Sequence, residues 1–402
     1  MRIAHIAAEI VPTTSGSFVG GLAKNVSTLA KEQINQGHDV EIFTSDINHR
    51  LREGITETSW QSNIIPTVGR YASLSYIQSY FLNAVREVIH AHKIRHFDII
   101  HLHSAYAIFG AIGYYLGHID TPKIFSLYSP NFSLLSGHSC KTSNNQVKTI
   151  ITRFSTRPFN CIIVLSRNLE TILNQYVSSR TPVRYVPPII DSIIANSILP
   201  KNVARSKLNL DMNSILILYI GNFSSWKGID ILLQSIKKLK KEIQNICLLA
   251  AWGEPYQWSG NQKRIILKTI KDLDLENNVQ HIGIVKDIGT VISASDIVVE
   301  PFRCTCKVLD SPLSILEAMA RGKPVISSSV GGIPELLGKD QRGIVVSPGD
   351  IDQLTEAIRR LVYDEKTRER LGDAARNWIL QNMDKDRILS LIQFIYESAN
   401  QR

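Results

Sequence analysis

One carboxylate, Glu317, sits in the run Leu313–Ala320, where almost every other residue is apolar. Read as a helix, that run is apolar nearly all round and belongs in a core. A buried carboxylate needs partners. Ser311 is expected to cap the helix and Pro312 to take its first position, which needs no backbone donor. Gly322 and Pro324 stop it. A helix start with open amides, followed one turn later by an acid, suits a phosphate-bearing ligand that also carries hydroxyls. Residues 325–326 then read as an interior parallel strand.

Elements that could position this pair lie on both sides. Residues 3–8 form a short apolar strand, and a loop of small residues ends at Gly20-Gly21. An amphipathic helix over 22–36 and a strand over 40–44 complete a βαβ unit. The spaced three-glycine dinucleotide fingerprint is missing. Gly20-Gly21 is therefore either a tight turn or a place where a ligand comes close to backbone. A helix over 71–92 precedes the strand 98–103, whose last residue, His103, is expected at the carboxyl edge of a sheet, where ligands of open α/β folds bind. Further elements are a helix over 105–116, strands over 123–126, 161–165 and 183–186, and a break at Pro187-Pro188. The alternation then restarts. Strands are expected over 215–220, 246–251, 279–282, 297–299, 323–326 and 343–346. Helices are expected over 229–240, 265–273, 351–361 and, with an interruption at 382–385, 368–399. Two successive α/β blocks imply two doubly wound domains.

Composition agrees. The 402 residues are 44% hydrophobic and 20% charged, too long for one ordinary core. The formal net charge of +9 fits anionic partners, and six of the cations (Lys123, Lys141, Lys148, Arg153, Arg157, Arg167) fall within 122–169 without one acid. No helix concentrates charge beside a stacking aromatic repeat, so nucleic acid is not an expected partner. Five scattered cysteines speak for a reducing compartment, and Cys304-x-Cys306 lacks the spacing of a zinc site. Asp272-x-Asp274 reads as solvated surface. No signal peptide is visible, and no apolar run approaches the roughly 20 residues of a membrane span.

Over nearly its whole length the chain resembles the family 4 glycosyltransferases. HLHS at 101–104, IIVLS at 162–166, YVPPIID at 185–191 and YIGNFSSWKGIDILL at 219–233 carry the likeness, followed by VQHIGIV at 279–285, EAMARGKPVI at 317–326 and VGGIPELL at 330–337. The resemblance implies an α/β GT-B fold, two Rossmann-like domains facing a central cleft. Residues 1–188 would bind acceptor and 189–380 the nucleotide sugar, with a C-terminal helix, 381–402, crossing back to the first domain. It implies a cytoplasmic enzyme that moves a hexose from a nucleotide diphosphate sugar, UDP-linked, to a hydroxyl acceptor with retention, without metal or other cofactor. Lys227 and the amides of Leu313 and Ser314 would hold the diphosphate, Glu317 the ribose hydroxyls, and Gly20 and Gly21 would pass close to the diphosphate. His103 would lie beside the reacting centre.

The chain also departs from the family. Leu309 stands where a second acid is usual, with Asp310 one residue on as the candidate replacement. Asn222 stands where an arginine usually partners the loop lysine, and Arg303 or Lys307 could supply that cation. Tyr128 stands near a usual histidine, and Pro188-Ile189 replaces an asparagine-glycine pair. Two other readings stay open: a nucleotide-sugar epimerase or hydrolase on the same scaffold, and a non-catalytic nucleotide-sugar-binding subunit. Sugar, base and acceptor stay open as well, between a glycan, a lipid-linked sugar and a natural product. So does peripheral contact of the basic 122–169 region with an anionic membrane face.

Overall fold

The computed structural model describes residues 1–7, 20–43, 50–51, 74–131, 152–190, 198–251, 260–283, 285, 287–304 and 309–401. Most of the loop before Gly20, the polar loop 136–145, Cys306 and Lys307 lie outside the described residues. Contacts divide the chain into two compact units, Met1–Ile189 with Lys385–Arg402, and Ile190–Asp384.

The first unit is built on a seven-stranded sheet of β1 (Arg2–Ile6), β2 (Asp39–Phe43), β3 (Arg50–Leu51), β4 (Ile99–Tyr106), β5 (Lys123–Asn131), β6 (Cys161–Val164) and β7 (Val183–Tyr185). Its order is β3-β2-β1-β4-β5-β6-β7, with every pair parallel except the short β3, which runs antiparallel to β2. Helix Gly21–Asn35 connects β1 to β2, and Val26, Leu29 and Ala30 on one stripe of it are buried. On β4 the alternation of side chains sorts residues by face. Ile100 and Leu102 join the apolar core with Ala4 and Ile6 of β1, while His101 and His103 share the other face.

Two expectations change here. Both β4 and β5 continue past their expected ends, pairing as far as Tyr106 with Asn131. His103 is therefore a mid-strand residue opposite Ser126, rather than the last residue at a sheet edge. The segment expected as an α-helix over 105–116 is a 3-10 helix, Ala107–Leu116. Its glycines explain the close fit: a Cβ on Gly110 would stand 2.3 Å from the Ser155 carbonyl oxygen, and one on Gly113 2.8 Å from the Phe159 ring.

The second unit holds a six-stranded, all-parallel sheet: β8 (Ile215–Ile220), β9 (Ile246–Ala251), β10 (Val279–Gly283), β11 (Ile297–Glu300), β12 (Val325–Ser328) and β13 (Ile344–Val346), in the order β10-β9-β8-β11-β12-β13. Interior strands such as β11 and β12 are buried at every position, as parallel strands covered on both faces must be. Helices Ile229–Leu239 and Ile351–Tyr363 bury apolar stripes against this sheet. Asp350 caps the second of these by accepting from the Gln353 amide. The helix Ile288–Ala294 has no amphipathic stripe, being buried almost all round. Its signal is the cap: Asp287 accepts from the Thr290 amide.

The order in which strands are added across the sheet reverses between β1 and β4 in the first sheet and between β8 and β11 in the second. At such a switch point the loops leaving two adjacent strands part to opposite faces and open a crevice at the strand ends. The Lys227 loop leaves β8, and the segment leading to the Glu317 helix leaves β11.

Candidate functional site

In the second unit the β8 loop is shaped by its glycines. Gly221 has φ +152°, and a Cβ there would lie 3.2–3.3 Å from the end of the Lys227 side chain. That side chain thus lies across the bare Gly221 backbone. Gly228 has φ +72°, and a Cβ would stand 2.0 Å from the Pro301 carbonyl oxygen. Only glycine fits both the left-handed turn and that close approach. Lys227 is half-buried, its Nζ 4.9 Å from the centroid of the buried Phe302 ring, a cation over an aromatic face. Burial lowers its pKa, and the neighbouring Glu300 opposes that fall.

Glu300 ends β11 and is fully buried. Its Oε2 accepts from the Ser314 hydroxyl at 2.8 Å. Among the described residues its Oε1 has no hydrogen-bond partner. Burial pushes its pKa up to about 7; Lys227 and the Ser314 hydrogen bond pull it down, and Glu317 adds to the rise.

The Glu317 helix spans Leu313–Ala320. The cap position falls on Pro312 rather than Ser311, and the first helical residue is Leu313 rather than Pro312. Pro312 itself occupies the cap position, with ψ 128°, and makes no side-chain bond to the amides behind it. A proline has neither a side-chain acceptor nor an amide of its own, so the first helical bond is Leu316 N–H to the Pro312 carbonyl. The amides of Leu313, Ser314 and Ile315 precede it and have no acceptor within the helix. Glu317 is buried one turn in. The Gly331-Gly332 turn comes back to this point, the Gly332 amide donating to the Asp310 carbonyl at 3.0 Å.

In the first unit, a chain of neutral groups crosses β1 and β4. Asn25 fixes its direction: its Oδ1 accepts from the Ile189 amide, so its Nδ2 must donate, here to the Tyr128 oxygen. Tyr128 then gives its own hydrogen to His103 Nδ1 (2.9 Å), and His103 Nε2–H donates to His5 Nδ1 (2.8 Å). His5 Nε2–H donates to Gln33 Oε1, and Gln33 Nε2 donates to the Tyr396 oxygen. Tyr396 donates to His101 Nδ1, and His101 Nε2–H to Ser126 Oγ. Each imidazole is one donor and one acceptor, the pattern of a neutral ring. Desolvation enforces this: His5 is held down to about 4, and His101 and His103 well below the ordinary value. Tyr396 belongs to the last helix, Lys385–Asn400, so the C-terminal segment is part of this network.

Residues 19–192 match the family described as Glycosyltransferase Family 4, and residues 200–378 that described as Glycosyl transferases group 1. The chain is a family 4 glycosyltransferase. It is 23% identical over 389 residues to the N-acetyl-alpha-D-glucosaminyl L-malate synthase of Bacillus anthracis, an alignment that spans 96% of this chain and 94% of that one. Sucrose-phosphate synthase from Thermosynechococcus elongatus shares its fold with a TM-score of 0.80 at 22% identity, over 99% of this chain and 98% of the other. Anabaena HepE, solved in complex with UDP and glucose, does so with a TM-score of 0.73 at 19% identity, over 99% and 100%. The architecture is GT-B.

Within this glycosyltransferase the second unit brings Asn222, Lys227 and Asp310 onto the segments that leave β8 and β11, and Leu313, Ser314 and Glu317 onto the helix that follows β11. Asn222 does not stand in for a cation. Its Oδ1 accepts from Ser224 Oγ at 2.8 Å, which folds the loop back on itself. Arg303 does not replace the missing charge either. It is bonded at both Nη atoms to Asp230 (2.6 and 2.7 Å) and at Nη1 to the Ser225 carbonyl, so it clamps the Lys227 loop and is neutralised there. Leu309 is buried, and Asp310 is fully buried beside it. Gly20, in the first unit, has φ +108° and caps the helix Gly21–Asn35, a geometry that favours glycine whether or not a ligand approaches. His103 is buried with both ring nitrogens engaged, so in this arrangement it offers none to a substrate. Of the basic run, Lys123 is no surface cation: its Nζ is buried, donating to the carbonyls of Ile119 and Thr121. Asp274 is ion-paired with Lys240 on the surface. No described helix is long and apolar enough to cross a membrane.

One site residue escaped sequence reasoning. Glu300 was hidden at the end of the apolar run IVV, directly before Pro301. Its signal was available: an acid at the carboxyl end of an interior parallel strand has no solvent to face and sits where ligands bind.

Proposed function

We propose that this glycosyltransferase moves a hexose from a UDP-linked donor to a hydroxyl acceptor with retention of anomeric configuration. The observation that carries the reading is the meeting, around the end of β11, of a cation, Lys227, with a helix start at Leu313 and Ser314 whose cap residue, Pro312, supplies no side-chain acceptor. Such a site is built for a diphosphate, because cation and helix amides both oppose the charge that develops on the leaving group. Glu317, one turn in, is assigned to the ribose hydroxyls, and Asp310 to the edge of the sugar pocket. Asn222 shapes the loop. The 1–188 domain is assigned to the acceptor, with Gly20 and Gly21 as its loop nearest the diphosphate and His103 holding Tyr128 in place.

In the proposed step the bond between the anomeric carbon and the diphosphate oxygen breaks, and its electron pair leaves with the phosphate. The acceptor oxygen bonds to the anomeric carbon from the same face and passes its proton to the departing phosphate. Lys227 and the amides carry the charge, so this route assigns no step to a metal.

Initial rates of transfer from a panel of nucleotide sugars test the reading. Lys227→Ala is expected to lower turnover by about 100-fold or more, in line with loss of one preorganised charge-stabilising donor. Glu317→Gln is expected to raise KM for the donor. Near-normal rates in both variants would overturn the site. Donor consumption that needs no acceptor would instead place the enzyme among hydrolases or epimerases.

A further inference from the structure

We infer that Glu300 makes diphosphate binding proton-linked: the site takes up a proton at Glu300 when a nucleoside diphosphate binds, because only then is the Ser314 hydroxyl free to donate to phosphate. The inference rests on the nucleotide-site reading above and adds a residue to it.

Ser314 Oγ is 2.8 Å from Glu300 Oε2. An ionised carboxylate only accepts, so against ionised Glu300 the single hydrogen of the serine hydroxyl points back into the protein. Ser314 then turns only lone pairs outward, at the start of a helix whose amides invite an anion. One proton on Glu300 reverses the bond. The acid O–H donates to Ser314 Oγ, and the serine hydrogen is released towards a phosphate oxygen. No other atom moves, and one proton enters from solvent.

The surroundings favour that exchange. Glu300 is fully buried, and among the described residues its Oε1 accepts from nothing. A buried carboxylate with one oxygen unpaired pays a large desolvation penalty for staying charged. Its backbone is fixed, because Ser327 Oγ donates to the Glu300 carbonyl at 2.6 Å. Among the described residues, three titratable groups are coupled to it, Lys227, Glu317 and Tyr219. Lys227 of the β8 loop is the only cation among them, and it favours ionisation. Glu317, from its own helix, opposes ionisation. Tyr219 of β8 is kept a neutral phenol by burial, with Glu300 and Asp230 adding to that effect. Asp230 is itself paired with Arg303. A diphosphate that pairs with Lys227 takes away the one charge holding Glu300 ionised and adds negative charge nearby. Both changes drive proton uptake. Because burial pushes the Glu300 pKa up to about 7, the exchange falls near neutrality.

Isothermal titration of UDP, with GDP and ADP in parallel, into the full chain at pH 7.5 tests this in buffers of different ionisation enthalpy. This pH lies above the pKa near 6 of a terminal phosphate, so the ligand is already ionised. The wild type is expected to take up a substantial fraction of a proton per UDP, and its affinity to fall several-fold between pH 7 and 8.5. Glu300→Gln carries a permanent donor and is expected to bind UDP with no uptake and a flat pH profile. Lys227 titrates in the same direction, and the variant retains it. Uptake that persists in Glu300→Gln would therefore assign the proton to Lys227 and overturn the inference. Binding by the wild type without uptake overturns it with no variant needed. If none of the three diphosphates binds, the nucleotide-site reading fails and the inference with it.

Discussion

Mild acid should unfold the first unit, and the reason lies in its three buried imidazoles. His5, His101 and His103 are neutral and fully buried, each hydrogen-bonded at both nitrogens. Their folded pKa values are depressed, His5 to about 4 and the other two well below 6.5. The sign follows from linkage. Stability from a depressed group is fully present above the unfolded value of 6.5 and is lost as pH falls towards the folded value, because only the unfolded chain binds the proton. At pH 5 each histidine is 1.5 units below its unfolded pKa. At 1.36 kcal/mol per unit, that costs about 2 kcal/mol for His5, whose folded value is about 4, and His101 and His103 add losses of the same sign. A typical domain has roughly 5–15 kcal/mol in all. Urea unfolding at a series of pH values between 7 and 5 measures the effect. The slope of stability against pH should correspond to an uptake approaching three protons near pH 5.5. His101→Gln should remove about one of them. An uptake of less than one proton in the wild type would refute the neutral network.

Glu300 should impose the opposite slope on the second unit. Its folded pKa is raised from 4.5 to about 7, so its contribution is fully present below 4.5 and is lost as pH rises through 7. Relative to wild type, Glu300→Gln is expected to gain about 2 kcal/mol of unfolding free energy between pH 5.5 and pH 8; an offset that is the same at both values would contradict the buried charge. Two glycines with similar φ separate strain from collision. Gly283→Ala (φ +70°, open space) should cost on the order of 1–2 kcal/mol for the left-handed backbone. Gly228→Ala (φ +72°, 2.0 Å from the Pro301 carbonyl) should cost more and lower transfer, because the Lys227 loop must move. Equal urea midpoints for the two would show that the Pro301 contact yields freely.

Alternation of strand and helix, the glycine punctuation and the caps at Asp350 and Gly322 were local signals, and the elements they mark formed. So was the family likeness, because its motifs are contiguous runs. Strand ends were less legible. β4 was expected to stop at His103, but β5 extends as far and supplies the backbone partners that carry β4 to Tyr106. Helix Arg167–Asn174 was missed for its brevity, though Ser166 caps it visibly.

Residue types at the site were legible for the same reason: Lys227, Ser314 and Glu317 lie in motifs whose spacing is set by one loop or one helical turn. What those residues touch was not. Arg303 reads as a spare cation until the fold sets Asp230, 73 residues away in sequence, against it. His103 reads as a reactive imidazole until His5, 98 residues earlier, and Tyr128 occupy both its nitrogens. The sequence alone determined which groups the chain carries and the elements that hold them. Their charge states were decided only in the tertiary structure, because desolvation and through-space partners set a proton's free energy, and neither follows from order along a chain.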